Sequence, residues 1–305
     1  MNREGWSHLP VLVEEVSFLL RPRHGGWVVD ATVGMGGHAE ALLERSEPAI
    51  RLLGIDRDPE VLVLASQRLA RFGSRVVLQR GNFRHLGTLA RSAGVTEAET
   101  VLLDLGVSSY QLEASGRGFS FQTEAPLDMR FDPAEGRPAA ELLQRLSEAE
   151  LARIFFEYGE EPHARRIGRA IVARRRRAPL ATTRDLVEVV KASVPRRAWP
   201  RRSHVATRAF QALRMAVNDE LGALAEALPQ AARLLTPGGR LGVLSFHSGE
   251  DRVVKQTFKT LAAGAYAVLT PSPIRPSQEE VRANHRARSA KLRILERVEA
   301  IDVAV

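Results

Sequence analysis

The 305-residue sequence predicts an α/β chain: a doubly wound parallel sheet with a helical module inserted after its fourth strand. Three observations predict it. Over residues 27–104, short apolar runs alternate with stretches of helical spacing, the pattern of strands joined by crossover helices. From about 139 to 194 the apolar residues recur only at helical spacing, as in Leu142, Leu143, Leu146, Leu151, Ile154 and Phe155. A strand-like run then returns at 239–246, behind a Pro237-Gly238 turn, and another at 292–298.

The elements follow in order. Trp27-Val28-Val29-Asp30-Ala31 is an apolar run ending at a glycine-rich loop, and a helical stretch from about His38 to Arg45 follows it. Leu52-Leu53-Gly54-Ile55-Asp56 reads as the second strand. Pro59 opens a helix carrying Val61, Leu62, Leu64, Ala65 and Leu69, with proline in the first turn, where its missing N–H costs nothing. Residues 75–79 and 100–104 supply the third and fourth strands. Residues 106–138 are polar, with glycines and aromatics, and predict no strand. A helical pattern from about Ala206 to Leu235 is expected to be interrupted at Pro229, because proline inside a helix removes a hydrogen bond and crowds the preceding turn. The expected division is a discontinuous sheet domain, 1–112 with 206–305, around a helical domain at 113–205.

Composition excludes several classes. The chain has 44 Lys+Arg against 36 Asp+Glu, a net charge of +8, and no cysteine, which rules out disulfide scaffolds and thiolate zinc sites. No apolar run approaches the ~18 residues that cross a bilayer. Met1 to His8 contains no apolar core of a signal peptide, so a soluble cytoplasmic protein is expected. The eight histidines show no H-E-x-x-H or comparable spacing, so no metal is expected. The positive charge is focused: residues 161–205 hold thirteen basic residues, among them Arg174, Arg175, Arg176, Arg177 and Arg202, against three acids. That is +10, leaving −2 for the rest of the chain. Residues 275–297 carry a smaller excess, seven basic against three acidic. Such focusing suits a polyanion, because each neutralised phosphate releases counterions; a solvated basic helix is the other reading.

The first strand runs into Asp30-Ala31-Thr32-Val33-Gly34-Met35-Gly36-Gly37-His38. Gly34, Gly36 and Ala39 satisfy G-x-G-x-x-G/A, and glycines there let a backbone approach a ligand at the start of a helix. Asp56 ends the second strand twenty residues after Gly36, where an acid accepts hydrogen bonds from ribose hydroxyls; the competing role is a helix N-terminal carboxylate beside Asp58 and Pro59. Asp30 stands where an acid meets the ammonium of a methionine moiety, and Gly81-Asn82-Phe83 places an amide and a ring where adenine stacks. Gly-Asn is also an ordinary turn pair, and Phe83 also fits the core. With Asp104 ending the fourth strand, the polar strand ends crowd the carboxyl edge, where ligands bind. The pattern favours S-adenosylmethionine over NAD.

Longer blocks carry a resemblance. They include His8-Leu9-Pro10-Val11-Leu12, Asp30-Ala31-Thr32, Gly36-Gly37-His38, Gly54-Ile55-Asp56-Arg57-Asp58, Gly81-Asn82-Phe83 and Asp104-Leu105-Gly106-Val107-Ser108-Ser109. Gln111-Leu112, Gly118-Phe119-Ser120-Phe121, Pro126-Leu127-Asp128-Met129-Arg130, Phe210-Gln211-Ala212-Leu213-Arg214, Val217-Asn218, Glu220-Leu221, Ser245-Phe246-His247-Ser248 and Arg288-Ser289-Ala290-Lys291-Leu292-Arg293 complete them. Through these blocks the chain resembles the RsmH (MraW) family of S-adenosylmethionine-dependent 16S rRNA cytosine-N4 methyltransferases, from residue 8 to about 297. Gly249 and His285 depart from the family pattern, which has Leu and Pro there.

The resemblance implies a Rossmann-like methyltransferase sheet with an inserted helical substrate-recognition domain. It implies methylation of the exocyclic N4 of a cytidine in the decoding centre, the P-site region of 16S rRNA, with the small ribosomal subunit as partner. The cofactor contacts carried over by block are Gly36, Gly37, His38, Asp56, Phe83, Asp104 and Gln111, to which the glycine loop adds Asp30 and Gly34. Asp104, Ser108 and Ser109 are the candidates to orient the amine, since that loop lies where amino-methylating enzymes place acceptors. Phe119, Phe121 and Tyr110 are candidates to stack on an extruded base, or are anchors of a polar loop. Asp128 and Arg130 either line the pocket or pair with each other. Asn218 and Glu220 either face the site or are helix-surface polars. His247 is a strand-end histidine, no G-x-S-x-G elbow being present. Two other classes stay open at this level, an NAD-linked oxidoreductase and a noncatalytic RNA-binding assembly factor. The oligomeric state is open between monomer and homodimer.

Overall fold

The computed structural model describes residues 10–20, 22, 25–201 and 203–298; His8, Leu9 and Arg202 of the blocks above lie outside these residues. Seven strands, β1 (Trp27–Asp30), β2 (Arg51–Asp56), β3 (Val76–Arg80), β4 (Ala98–Asp104), β5 (Leu235–Ser245), β6 (Tyr266–Val268) and β7 (Lys291–Arg297), form one sheet in the order β3-β2-β1-β4-β5-β7-β6.

Adjacent residues on the central strands point to opposite faces and both faces are buried, which explains the unbroken apolar runs. Val29, Leu53, Val101 and Leu103 pack beneath the helices Leu86–Ser92, Glu220–Leu234 and Ser248–Leu261, through Leu86, Leu224, Leu228 and Phe258. Their neighbours Val28, Leu52 and Leu102 pack on the other side with Val16, Leu42, Leu43 and Leu69 of the helices Val13–Leu19, Gly37–Glu44 and Pro59–Leu69. Each such side chain contributes about 1.5–3 kcal/mol through burial.

Strands β1 to β5 are parallel, as the strand-and-helix alternation predicts, and β7 runs antiparallel to both β5 and β6, a reversal that the sequence pattern does not mark. The cause is the connection. After β6 the chain stays at the carboxyl edge, where Ile274 bridges Leu292 and Leu292 pairs with Leu244 of β5. A strand entered from that edge has only the reverse direction open to it.

The chain divides into two compact units, 1–106 with 221–305, and 107–220. The second unit is larger than the expected 113–205. Its core of Leu151, Phe155, Ile167, Ile171, Leu186 and Val190 also takes in Ala209, Phe210, Ala212 and Leu213 from the helix Thr207–Asn218. The long helical pattern is therefore two helices, and the break falls at Asp219, whose left-handed φ of 47° caps the first. Pro229 lies inside the second helix, Glu220–Leu234, and does not interrupt it. One missing N–H removes one bond, whereas a left-handed residue turns the chain. Gln230, next to that proline, donates to the carbonyls of Glu226 at 2.8 Å and Arg84 at 2.7 Å, which anchors this stretch of helix.

Candidate functional site

Parallel pairing brings three carboxylates to one sheet edge. Asp30 ends β1, in register with Gly54 and Leu102, so it lies near the ends of β2 and β4, which carry Asp56 and Asp104. The loop after β1 is built on left-handed glycines, Gly34 (φ 53°) and Gly36 (φ 82°). Gly36 caps the helix Gly37–Glu44, whose first N–H groups and dipole favour negative or hydrogen-bond-accepting ligand atoms. A Cβ on Gly36 would stand 3.2 Å from Leu69, and one on Gly37 3.4 Å from Pro10.

Asp56 holds the loop in place. Its Oδ2 accepts from the Gly34 N–H at 3.0 Å and its Oδ1 from the Asp58 N–H at 3.0 Å. The helix cap is Asp58 instead, which accepts from the Glu60 N–H at 3.1 Å. Burial pushes the Asp56 carboxyl up to about 6, against those backbone bonds. Asp30, 1% exposed, accepts from the Thr32 N–H at 3.1 Å, and burial pushes it up to about 7 despite the opposing charge of His38. Oδ2 of Asp104 lies 3.3 Å from Nδ1 of His38, while its Oδ1 is buried without a hydrogen-bond partner among the described residues. Leaving a buried acceptor unmade costs about 1–3 kcal/mol. That orphaned oxygen, beside a glycine turn and two carboxyls held partly neutral by burial, fits a ligand bringing hydroxyl donors and positive charge. Phe83 is half-buried in the turn Phe83–His85, which Asn82 caps by accepting from the Arg84 N–H at 3.0 Å; the ring packs against the core beneath β1 and β4.

Several candidates in the second unit are occupied within it. Ser108 and Gln111 form a reciprocal capping box on the helix Ser109–Glu113: Ser108 Oγ accepts from the Gln111 N–H at 3.2 Å and Gln111 Oε1 from the Ser108 N–H at 2.9 Å. The S-x-x-Q signal was present in the sequence and is a local fold device. Ser109 is buried. Phe119 is buried and stacks on Phe131 at 5.5 Å, an anchor of its loop. Phe121 is half-buried, stacked on His204 at 4.5 Å and edge-on to Phe210 at 5.3 Å. Arg130 grips Asp128 through Nε at 2.8 Å and Nη2 at 2.7 Å, and those bonds hold the Asp128 carboxyl below the usual range although burial works the other way.

Asn218, 4% exposed, accepts from the Phe131 N–H at 2.9 Å and donates to Met129 O at 2.7 Å and Arg214 O at 3.0 Å, so it clamps the left-handed Met129. Glu220 pairs with Arg214 at 2.8 and 2.9 Å. Arg117 was missed: it is buried, donates to the carbonyl of Phe131 at 2.8 Å and lies 5.6 Å from the Phe119 ring, with no pattern around it in sequence to mark it.

The four consecutive arginines divide. Arg174 donates to Ala178 O at 2.7 Å and pairs with Asp185 at 3.3 Å; Arg175 donates to Leu143 O and Leu146 O at 2.6 Å, satisfying carbonyls at a helix end. Arg176 and Arg177 are exposed. In the first unit, His247 caps the helix Ser248–Leu261, accepting from the Glu250 N–H at 3.3 Å, with Glu250 reciprocating. At the departure Gly249, a Cβ would stand 3.2 Å from the His247 ring, so the glycine leaves that ring its room. His285 Nδ1 lies 3.0 Å from Val281 O.

No helix among the described residues is long and apolar enough to cross a membrane. The MraW methylase family matches residues 5–298. Among curated relatives, ribosomal RNA small subunit methyltransferase H of Heliobacterium modesticaldum is 46% identical over 310 residues, covering 96% of this chain and 99% of the relative. The proteins of the same name from Geotalea daltonii (309 residues aligned, 96% and 99% covered) and Syntrophotalea carbinolica (314 residues, 98% and 100%) are each 48% identical.

Proposed function

The chain belongs to the MraW methylase family, and from that premise we propose that it methylates the exocyclic N4 of a cytidine in the decoding centre of 16S rRNA within the small ribosomal subunit. The methyl donor is S-adenosylmethionine, which when bound supplies a methyl group on a positively charged sulfur. The observation that carries this reading is the unpartnered Oδ1 of Asp104 at the strand edge that also holds Asp30, Asp56 and the glycine turn.

The residues to hold the donor are Gly34, Gly36 and Gly37 of the turn, Asp30 for a cationic group, Asp56 for hydroxyls and Phe83 for an aromatic face. Cytosine N4 is a poor nucleophile because its lone pair is delocalised into the ring. Positioning of two reactants supplies about 7–11 kcal/mol in well-oriented systems, and extruding the base costs a few kcal/mol. Asp104 would orient the amine by accepting a hydrogen bond from it and would take up the proton that the methylated amine releases. The amine becomes acidic once methylated, so a strong base is unnecessary. Mass-spectrometric mapping of methylcytidine in 16S rRNA from cells with and without this protein tests the assignment. An unchanged methylation map overturns it.

Phosphate contacts are assigned to the exposed arginines of the second unit, Arg176 and Arg177 with Arg165, Arg166 and Arg169, rather than to Arg174 and Arg175. Arg176→Gln with Arg177→Gln is expected to reduce the slope of log affinity for 16S rRNA against log salt by about one to two, each phosphate contact contributing ~0.7–0.9. Donor affinity stays as in the wild type. An unchanged salt slope assigns both side chains to a solvated face.

The raised carboxyls make a linkage prediction. Asp30 (about 7) and Asp56 (about 6) hold protons in the free protein near pH 6, and a nearby positive charge favours their ionised forms. Donor binding at pH 6 therefore releases protons, and affinity rises as pH climbs toward 7. Titration calorimetry in two buffers of different ionisation enthalpy measures this; proton uptake contradicts it.

A further inference from the structure

His38 is the second residue of the helix Gly37–Glu44 and is 5% exposed. Its Nε2 lies 2.9 Å from the carbonyl oxygen of Val11, and its Nδ1 lies 3.3 Å from Oδ2 of Asp104. A carbonyl oxygen only accepts, so Nε2 carries a hydrogen. A neutral ring would then turn the bare lone pair of Nδ1 toward a carboxylate oxygen, acceptor against acceptor. One more proton in the pair removes that conflict and makes the 3.3 Å contact an attraction.

We propose that His38 is a positioning residue in its imidazolium form, donating from Nε2 to Val11 and from Nδ1 to Asp104 Oδ2, and so leaving Asp104 Oδ1 as the free acceptor of the donor site. The proposal rests on the functional reading above for what that free oxygen serves. The groups facing the ring bear it out electrostatically. Asp104 approaches from β4 and Asp30 from β1, with Asp56 of β2 beyond Asp30, and the segment before the first helix presents the Val11 carbonyl. Burial and the positive end of its own helix oppose the charge. The Asp104 bond and charge, the Val11 carbonyl and Asp30 outweigh burial and lift His38 above the ordinary histidine range.

The same ring ties down the chain that lies over the glycine turn. Val11 precedes Leu12, which is buried with a left-handed φ of 54° and whose N–H donates to Glu280 Oε1 at 2.7 Å. Pro10 packs on Gly37. His38 therefore couples the 10–12 segment, held at its other end by Glu280, to the orientation of Asp104. An uncharged ring keeps one of these two bonds and loses the other.

The test is a nitrogen-15 titration of the histidine rings in the full-length chain without donor, followed by donor affinity against pH. Both ring nitrogens of His38 are expected to stay protonated to a higher pH than those of an unperturbed histidine (pKa ~6.5). Asp104→Asn is expected to abolish that upward displacement. Donor affinity falls about tenfold as pH rises through the His38 transition, one pKa unit of coupling being tenfold. His38→Gln binds about tenfold more weakly near pH 7 and shows no such alkaline limb. A His38 ring that loses its second proton at no higher pH than an unperturbed histidine, in a wild-type protein that still binds the donor, overturns the inference and leaves the functional reading standing. A wild-type protein that binds no donor at any pH removes that reading and with it the purpose assigned to the free oxygen. The ring titration needs only the wild-type chain, so misfolding of a variant does not shield the proposal.

Discussion

Asp104→Asn is expected to lower the single-turnover rate of methyl transfer about 10²-fold at saturating donor and RNA, the usual scale for removing one positioned acid–base or electrostatic partner. The substitution keeps shape and removes charge. Oδ2 faces the His38 ring at 3.3 Å and Oδ1 has no partner among the described residues, so the amide loses the attraction that orients the group and changes what the free position offers. The main chain there is held separately: the Asp104 N–H donates to Thr32 Oγ1 at 2.6 Å, and the strand is paired on both sides. The fold should therefore survive, and RNA affinity should not change. Rapid-quench transfer of labelled methyl to small subunits reads the effect. Retention of the wild-type rate would remove Asp104 from the chemistry.

The second large effect is on stability. Asn218→Ala is expected to cost roughly 3 kcal/mol and to lower the melting of the helical unit by roughly 10 °C. The side chain is 4% exposed, and its loss strands the Phe131 N–H and the Met129 carbonyl that it now satisfies and removes a further bond to Arg214 O within its own helix. Each stranded group costs about 1–3 kcal/mol, and the left-handed Met129 loses the clamp that holds it. Calorimetry of the full chain measures it. A change under about 0.5 kcal/mol, the scale of a surface substitution, would show that the residue is not structural. Weakened RNA binding at unchanged melting would return it to the RNA-contacting group.

The comparison of these two residues shows where sequence reasoning succeeds. Asp104 was legible because apolar runs of parallel strands are unmistakable and each ends at the same edge, so a polar residue at the end of one run is placed beside those of the others. The bonds of Asn218 were not legible, because its three partners, Phe131, Met129 and Arg214, are only in part its neighbours along the chain. Ser108 and Gln111 fell between. Their S-x-x-Q spacing carries the capping box that the structure contains, while the chemical roles expected of them come from the loop after Asp104 and from the family resemblance. Arg174 and Arg175 belong to a run of charge whose first two members turn inward, a division that helix periodicity permits and that the positions of Leu143, Leu146 and Asp185 impose.

By itself the amino-acid order determined the strand-and-helix alternation, the glycine turn, the acids at the strand ends and the presence of a basic helical insert. All of these depend on local periodicity and on the conformational range of single residues. Only the tertiary structure decided the reversed direction of β7, the inclusion of Thr207–Asn218 in the helical unit, which arginines stay in solvent, and the pairing of His38 with Asp104. Those features depend on which distant segments share a desolvated space, and hydropathy along a chain records that a residue is buried, not what it is buried against.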